Sequence, residues 1–115
     1  ATQGMEIQIL DDNAAKYADL QPYQYCGAIY GVAAPERGHT KPAGEWNAME
    51  ITAKGSQVTV IINGHTVVDV DVAAIHAEGT PDEKEHPGLL RKTGRLALLG
   101  HGTEVAYRKL RVKPL

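Results

Sequence analysis

The 115-residue sequence has no phenylalanine, one tryptophan and a single cysteine. Because one thiol can neither close an internal disulfide nor build a cysteine-based metal site, both features are excluded. No apolar run approaches the roughly 20 residues that a membrane helix requires, so we expect no membrane partner. The formal net charge of −2 gives no electrostatic basis for binding nucleic acid, and we expect no nucleic-acid partner either.

Motifs of common hydrolases and metal sites are also missing. The chain contains no HExxH, no GxSxG and no Gly-rich phosphate loop. The stretch Asp11-Asp12-Asn13, with Asp19 nearby, offers the oxygen ligands that calcium prefers, but it lacks the glycine and the distal glutamate of the specific calcium loop. We therefore predict no cofactor, and a structural calcium ion is left open as the weaker alternative.

Alternation of apolar and polar residues predicts short strands separated by loops rich in glycine and proline. The predicted strands are Met5–Leu10, Cys26–Val32, Trp46–Thr52, Gln57–Ile62, Thr66–Val72, Arg95–Leu99 and Glu104–Val112. Asn63-Gly64 is the strongest hairpin signal, because a type I′ turn needs positive φ at both central positions. The pattern indicates a single all-β domain over residues 1–115, an antiparallel sandwich or jelly roll. A sandwich this small lacks partners for its outer strands, which leaves self-association through exposed sheet edges open.

Polar and aromatic side chains near these strands are candidate ligand-binding groups. Glu6 and Gln8 share one strand face, where they are either simply solvated or form a row of hydrogen-bonding groups for sugar hydroxyls. Trp46 is either a core anchor or one wall of a ligand site. Glu45 and Asn47 flank it and, by strand alternation, point to the opposite side, so we do not expect all three to contact one ligand.

The five histidines differ in their local sequence. His101 lies between two glycines at the end of a predicted strand. An imidazole that titrates near neutral pH is there either a general acid or base or an ordinary exposed turn residue. His86 precedes Pro87-Gly88, where a fixed loop would present it. The other histidines are expected to be solvated.

The chain also resembles a known family along essentially its whole length. The segments GMEIQILDD, GAIYGV, KPAGEWNAMEI, INGHTVVDVD, EHPGL and LALLGHGTEVAYRKLRVKPL follow one another in the order typical of the 3-keto-disaccharide hydrolase domain family. The resemblance implies a concanavalin A-like jelly-roll β-sandwich. Because family members have several strands before the first of these segments, it also implies that the chain is the C-terminal part of a longer domain, here truncated. A periplasmic or secreted location is implied too, although the first residues form no signal peptide.

The function implied by the resemblance is cleavage of 3-keto-glycosides or 3-keto-disaccharides, with a small carbohydrate as the ligand. A ketone at C3 acidifies the hydrogen on C2, so a base that removes it can expel the C1 oxygen, giving net elimination or hydrolysis. On this basis His101 and Glu6 are the predicted proton-transfer residues. The predicted substrate-binding residues are Gln8, Tyr30, Trp46, Glu45, Asn47 and Arg108. The alternative is a non-catalytic glycan-binding module on the same lectin-like fold.

Overall fold

The computed structural model describes residues 3–115, in which regular structure is mostly sheet. Three strands form one antiparallel sheet in the order β1-β2-β3: β1 (Met49–Lys54), β2 (Gln57–Ile62) and β3 (His65–Asp71). The helical elements are α1 (Val72–Glu78), which follows β3 directly, and two 3-10 turns at Ala15–Tyr17 and Pro22–Gln24. The protein is thus a small antiparallel β fold with little helix, while the jelly-roll sandwich stays a prediction.

The hairpin between β2 and β3 forms as the sequence predicts. Asn63 and Gly64 have φ values of 49° and 84°, the positive values that a type I′ turn requires. The Asn63 side chain also accepts a hydrogen bond from the backbone N–H of Ala48 and donates one of 2.7 Å to the carbonyl oxygen of His39. The turn therefore holds the chain that leads into β1 as well as joining two strands.

A bulge at Val67 interrupts strict alternation in β3. Val60 pairs with Val68 and Ile61 pairs with Thr66, so Val67 has no residue opposite it. The extra residue shifts the alternation of side chains between the two faces of the strand. Val67 and Val68, although adjacent, are therefore both buried. Alternation alone would have left one of them exposed to solvent.

The segment predicted as the strand Cys26–Val32 is instead a tight turn, so that prediction is wrong. Ile29 and Ala33 exchange both backbone hydrogen bonds, at 3.1 and 2.9 Å, which closes the chain on itself after Tyr30. Gly31 makes the turn possible with φ of 75°, a value that other residues rarely adopt.

The predicted strand Met5–Leu10 forms only a short antiparallel ladder with this turn. The N–H of Tyr30 donates to the carbonyl oxygen of Glu6, and the N–H of Gln8 donates to that of Ala28, both at 2.9 Å. Pairing stops there because the chain turns away after Tyr30, and a strand without a backbone partner is not maintained.

The hydrophobic core lies between the sheet and the turn segment 26–33. Its buried side chains are Cys26, Ile29, Val32, Ala33, Val58, Val60, Ile62, Val67, Val68, Val72 and Leu89. The inward face of β2 therefore supplies the centre of the core, and α1 begins at its margin through Val72. Asp71 caps that helix, since its carboxylate accepts hydrogen bonds from the backbone N–H groups of Ala73 and Ala74.

Residues 91–115 are exposed throughout and contain no regular strand, so the predicted strands Arg95–Leu99 and Glu104–Val112 are not formed. The physical reason is that neither segment has a neighbouring strand to satisfy its backbone hydrogen bonds.

Within residues 3–115, no helix combines the length and the apolar character needed to cross a membrane.

An isoleucine-to-alanine substitution should lower the free energy of unfolding more in the core strand β2 than in the edge strand β1. Ile62 is 2% exposed on β2 and Ile51 is 45% exposed on β1. Because a buried cavity adds to the lost transfer energy, Ile62→Ala should lower the free energy of unfolding by about 3 kcal/mol. Ile51→Ala should lower it by less than about 1 kcal/mol. Urea denaturation of both variants measures this, and equal losses would contradict the assigned core.

Candidate functional site

A cavity of about 380 Å³ opens where the N-terminal ladder, the turn after Ile29 and the loop that follows α1 meet. Its apolar side consists of Ile29, Val32 and Leu89, all of which are buried. Its polar and ionisable lining residues are Glu6, Tyr30, Asp82, Lys84, Glu85 and His86. Ligand pockets in proteins begin at about 300 Å³, so the cavity is of a size for one small ligand.

Two residues that the sequence predicts for the site, Glu6 and Tyr30, form one wall of this cavity. They are neighbours across the N-terminal ladder, where the Tyr30 N–H donates to the Glu6 carbonyl oxygen. Beside them, Ile7 bridges to Ile29, whose side chain is completely buried. The ladder therefore fixes both residues relative to the core.

The hydroxyl of Tyr30 is held by a short chain of amide groups. Gln24 donates a 2.9 Å hydrogen bond from Nε2 to the Tyr30 oxygen, which leaves the tyrosine O–H able to donate elsewhere. The predicted site residue Gln8 donates from Nε2 to the carbonyl oxygen of Gln24 at 3.0 Å. Gln8 thus supports Gln24 and, through it, Tyr30, and it is not among the residues that line the cavity.

The opposite wall carries an imidazole–carboxylate pair, His86 and Asp82. Nε2 of His86 lies 2.9 Å from Oδ1 and 3.1 Å from Oδ2 of Asp82. The two side chains are 17% and 8% exposed, respectively. Burial acts to raise the pKa of Asp82, but hydrogen bonds from His86, the Lys84 N–H and the Thr80 hydroxyl outweigh it, and the pKa lies below its ordinary value.

His86 also borders a second cavity, of about 310 Å³, on the side of α1. Lys84 and Glu85 line both cavities with it. His86 therefore borders two concave surfaces, and both are rich in ionisable groups.

Gly31 allows the turn to approach this pair closely. A Cβ atom built on Gly31 would overlap Oδ2 of Asp82 and lie 3.0 Å from Cε1 of His86. The Asp82 N–H donates to the Gly31 carbonyl oxygen at 3.3 Å, so turn and loop are also joined through the backbone. Glycine is therefore needed here for space as well as for its positive φ.

Sequence reasoning did not select Asp82, and it named His86 without assigning it a role. Two features of the sequence point to His86. It lies in a long loop, and long loops in compact domains are often functional. It is also followed by Pro87-Gly88, which restricts the geometry of the chain. The pairing with Asp82 had no sequence signal beyond a carboxylate four residues before the histidine.

The other predicted binding residues form a second, separate group at the start of β1. Trp46 is 46% exposed, and the guanidinium carbon of Arg108 lies 4.1 Å from the centre of its ring. Asn47 serves the scaffold, because its side-chain oxygen accepts hydrogen bonds from the Lys41 N–H and from Nδ2 of Asn63. Glu45 is exposed beside them.

The structure does not bring His101 to the cavity that Glu6 and Tyr30 line. It lies in the exposed segment 91–115. Its predicted part in proton transfer therefore stays a prediction.

Within residues 3–115, no group of three or more His, Cys, Asp and Glu side chains is placed to hold a metal ion. In the acidic stretch considered for calcium, Oδ1 of Asp12 accepts a 2.8 Å hydrogen bond from the Cys26 N–H. Burial raises the pKa of Asp12, and this hydrogen bond offsets part of the increase. Asp12 thus anchors the start of the turn segment.

Replacing Gly31 tests the close approach to Asp82, with Gly38 as the matched control. Both glycines have positive φ, but a Cβ at Gly38 would meet no atom within 4 Å. Gly38→Ala should cost about 1 kcal/mol from backbone strain alone. Gly31→Ala should cost at least about 2 kcal/mol, because Asp82 must also move. Urea denaturation measures both costs. Equal costs would show that the close approach of Gly31 to Asp82 does not contribute to stability.

The lowered pKa of Asp82 predicts a pH-dependent contribution to stability. In the unfolded chain the carboxyl titrates near about 3.9, so ionised Asp82 stabilises the folded state above that pH. This contribution is lost as the pH falls through the lower folded-state pKa. The difference in unfolding free energy between the wild type and Asp82→Asn should be fully present above about pH 5 and shrink below about pH 4. Urea denaturation at several pH values would contradict this by showing a constant difference.

Among the solved structures that match this chain are two proteins of Parabacteroides distasonis, each named a "putative glycosyl hydrolase". The first is 41% identical with a TM-score of 0.58, and the match covers 61% of this chain and 36% of that one. The second is 20% identical with a TM-score of 0.59, covering 78% of this chain and 45% of that one, and this likeness bears on the fold alone. The chain thus spans less than half the length of either structure.

Comparison with curated protein sequences gives no match. Comparison with protein families matches residues 1–113 to the 3-keto-alpha-glucoside-1,2-lyase-like domain. This match covers nearly the whole chain and agrees with the resemblance carried by its sequence segments. The chain therefore belongs to the family of 3-keto-alpha-glucoside-1,2-lyase-like domains, the 3-keto-disaccharide hydrolase family.

Proposed function

We propose that the chain carries the catalytic groups of an enzyme that cleaves 3-keto-glycosides by removing the proton on C2 and releasing the oxygen on C1. The observation that carries the proposal is the shared cavity of Glu6, Tyr30 and His86, which combines a carboxyl group, a phenol and an imidazole around space for one small ligand. Family membership and the carbohydrate-related names of the solved relatives support the choice of substrate class.

The reaction begins with transfer of the C2 proton to the imidazole of His86. The electrons of the C2–H bond move to the C3 oxygen and form an enolate, which hydrogen-bond donors in the cavity stabilise. The Tyr30 hydroxyl and the Lys84 ammonium group are the donors proposed for this oxygen, since both line the cavity.

The second step breaks the bond between C1 and the glycosidic oxygen. The C3 carbonyl re-forms, a double bond appears between C1 and C2, and the departing oxygen takes a proton from Glu6. Elimination ends there, whereas addition of water across the new double bond gives net hydrolysis. The scheme differs from ordinary glycosidases, in which two carboxyl groups act directly at C1.

A non-catalytic glycan-binding module is the second candidate. The observation in its favour is Trp46, a nearly half-exposed indole outside the cavity, of the kind that can stack on a sugar ring. The cation of Arg108 covers that ring in the structure, so a sugar would have to displace it.

Exchange of the C2 proton for deuterium in a 3-keto-glucoside tests the proposal by NMR in D₂O. His86→Ala should slow protein-dependent exchange and cleavage together, by about 100-fold or more, because the base is lost. Glu6→Gln should slow cleavage far more than exchange, because it removes the acid and leaves the base. Rates without protein are subtracted, and circular dichroism confirms that each variant is folded.

His101→Ala is the matched control, since it makes the same substitution at a histidine outside the cavity. Loss of exchange in this variant, with His86→Ala unaffected, would transfer the role of base to His101. Binding of the sugar without exchange by the wild type would contradict the enzyme and support the glycan-binding module.

A further inference from the structure

The carboxylate of Asp82 is held in one orientation by groups from its own loop. Oδ1 accepts hydrogen bonds from the Thr80 hydroxyl at 2.8 Å and from the Lys84 N–H at 3.1 Å. Both oxygens also face Nε2 of His86, at 2.9 and 3.1 Å. An ionised carboxylate can only accept hydrogen bonds, so Nε2 must be the ring nitrogen that carries a proton.

The remaining ring nitrogen, Nδ1, makes no hydrogen bond to any residue among 3–115. A neutral ring in this state has its lone pair on Nδ1. Since His86 lines the cavity, Nδ1 is the ring nitrogen left to take a proton from a ligand. A ring with the opposite tautomer would place a lone pair against the carboxylate and would have no base to offer.

We propose that Asp82 is a positioning residue that keeps neutral His86 in the Nε2–H tautomer and reserves Nδ1 for the proton of the substrate. The inference rests on the function proposed above, and it adds a residue that sequence reasoning did not select. Asp82 is not assigned as the base itself, because Oδ1 already accepts from Thr80, Lys84 and His86 and the side chain is only 8% exposed.

The loop around Asp82 is restrained enough to act as such a support. Its backbone is tied by hydrogen bonds from the Asp82 N–H to the Gly31 carbonyl oxygen and from the Leu89 N–H to that of His86, at 3.3 and 3.0 Å. Glu83 has φ of 58°, an unusual value that persists only where its surroundings fix the chain. Because the Asp82 side chain is only 8% exposed, water has little access to replace His86 as its partner.

Nitrogen-15 NMR of histidine-labelled wild-type protein tests the tautomer directly and needs no substrate. Two-bond proton–nitrogen correlations distinguish a protonated from an unprotonated ring nitrogen, and the spectrum of His86→Ala assigns the signals. We expect Nε2 to be protonated and Nδ1 unprotonated in neutral His86. The opposite tautomer, or an even mixture of the two, overturns the proposal.

Asp82→Asn should remove the preference for this tautomer while preserving the shape of the side chain. Two donors, the Thr80 hydroxyl and the Lys84 N–H, require an oxygen at the Oδ1 position, so the amide nitrogen takes the Oδ2 position, 3.1 Å from Nε2. It would then donate to Nε2 in competition with the oxygen at the Oδ1 position, which lies 2.9 Å from the same nitrogen, so neutral His86 should become a mixture of both tautomers. C2 exchange should fall by about 100-fold or more, mainly in kcat and with little change in KM, because fewer rings present an unprotonated Nδ1 and no carboxylate stabilises the protonated ring.

Glu83→Gln is the matched control, because it neutralises an exposed carboxyl of the same loop that does not line the cavity. It should change neither the tautomer nor the exchange rate. A correct tautomer without exchange in the wild type would leave the control of the His86 tautomer by Asp82 standing and contradict the proposed function. Exchange at the wild-type rate in Asp82→Asn with a mixed tautomer would contradict the positioning role alone.

Discussion

The close packing of residues 26–33 against the inward face of β2 is the constraint on which the rest of the structure depends. Ile29 and Val60 are completely buried at its centre. A Cβ on Gly27 would come within 2.8 Å of Cδ1 of Ile62 and 3.0 Å of Cγ2 of Val67, so the segment packs tightly against the sheet at this point. This packing fixes the ladder that carries Glu6, and it fixes the turn in which Gly31 meets Asp82. Both walls of the cavity therefore follow from one buried contact.

The parts of the fold that depend on neighbours in sequence were predictable. β2 has the bounds expected from its alternation, and the hairpin forms at Asn63-Gly64 because those two residues tolerate positive φ. Glu6 and Tyr30 were also selected from the sequence, and they meet because their segments pair through the backbone. In each case the deciding interaction is local or belongs to a short antiparallel pair.

The parts that depend on distant contacts were not predictable in the same way. The segment Cys26–Val32 has the composition of a strand, yet it turns at Gly31, which packs against Asp82, about fifty residues later in the chain. The bulge at Val67 likewise depends on how β3 meets β2. His86 lines the cavity because its loop packs beside the ladder that carries Glu6 and Tyr30. Sequence periodicity contains no information about which loop covers which face.

The segment 91–115 shows how an amphipathic pattern behaves without a partner. Its alternating apolar side chains, among them Leu96, Leu98, Leu110 and Val112, satisfy the pattern of a strand but are exposed. β1 is an edge strand of the three-stranded sheet, so among residues 3–115 no strand lies along one side of its backbone. Unpaired edges and exposed apolar side chains both favour association with a further strand. Arg108, stacked on Trp46, holds part of this segment beside the start of β1. Pairing through these edges, with a second copy or with further strands of a sandwich, would bury both sets of groups at once, which is why self-association stays a physical prediction.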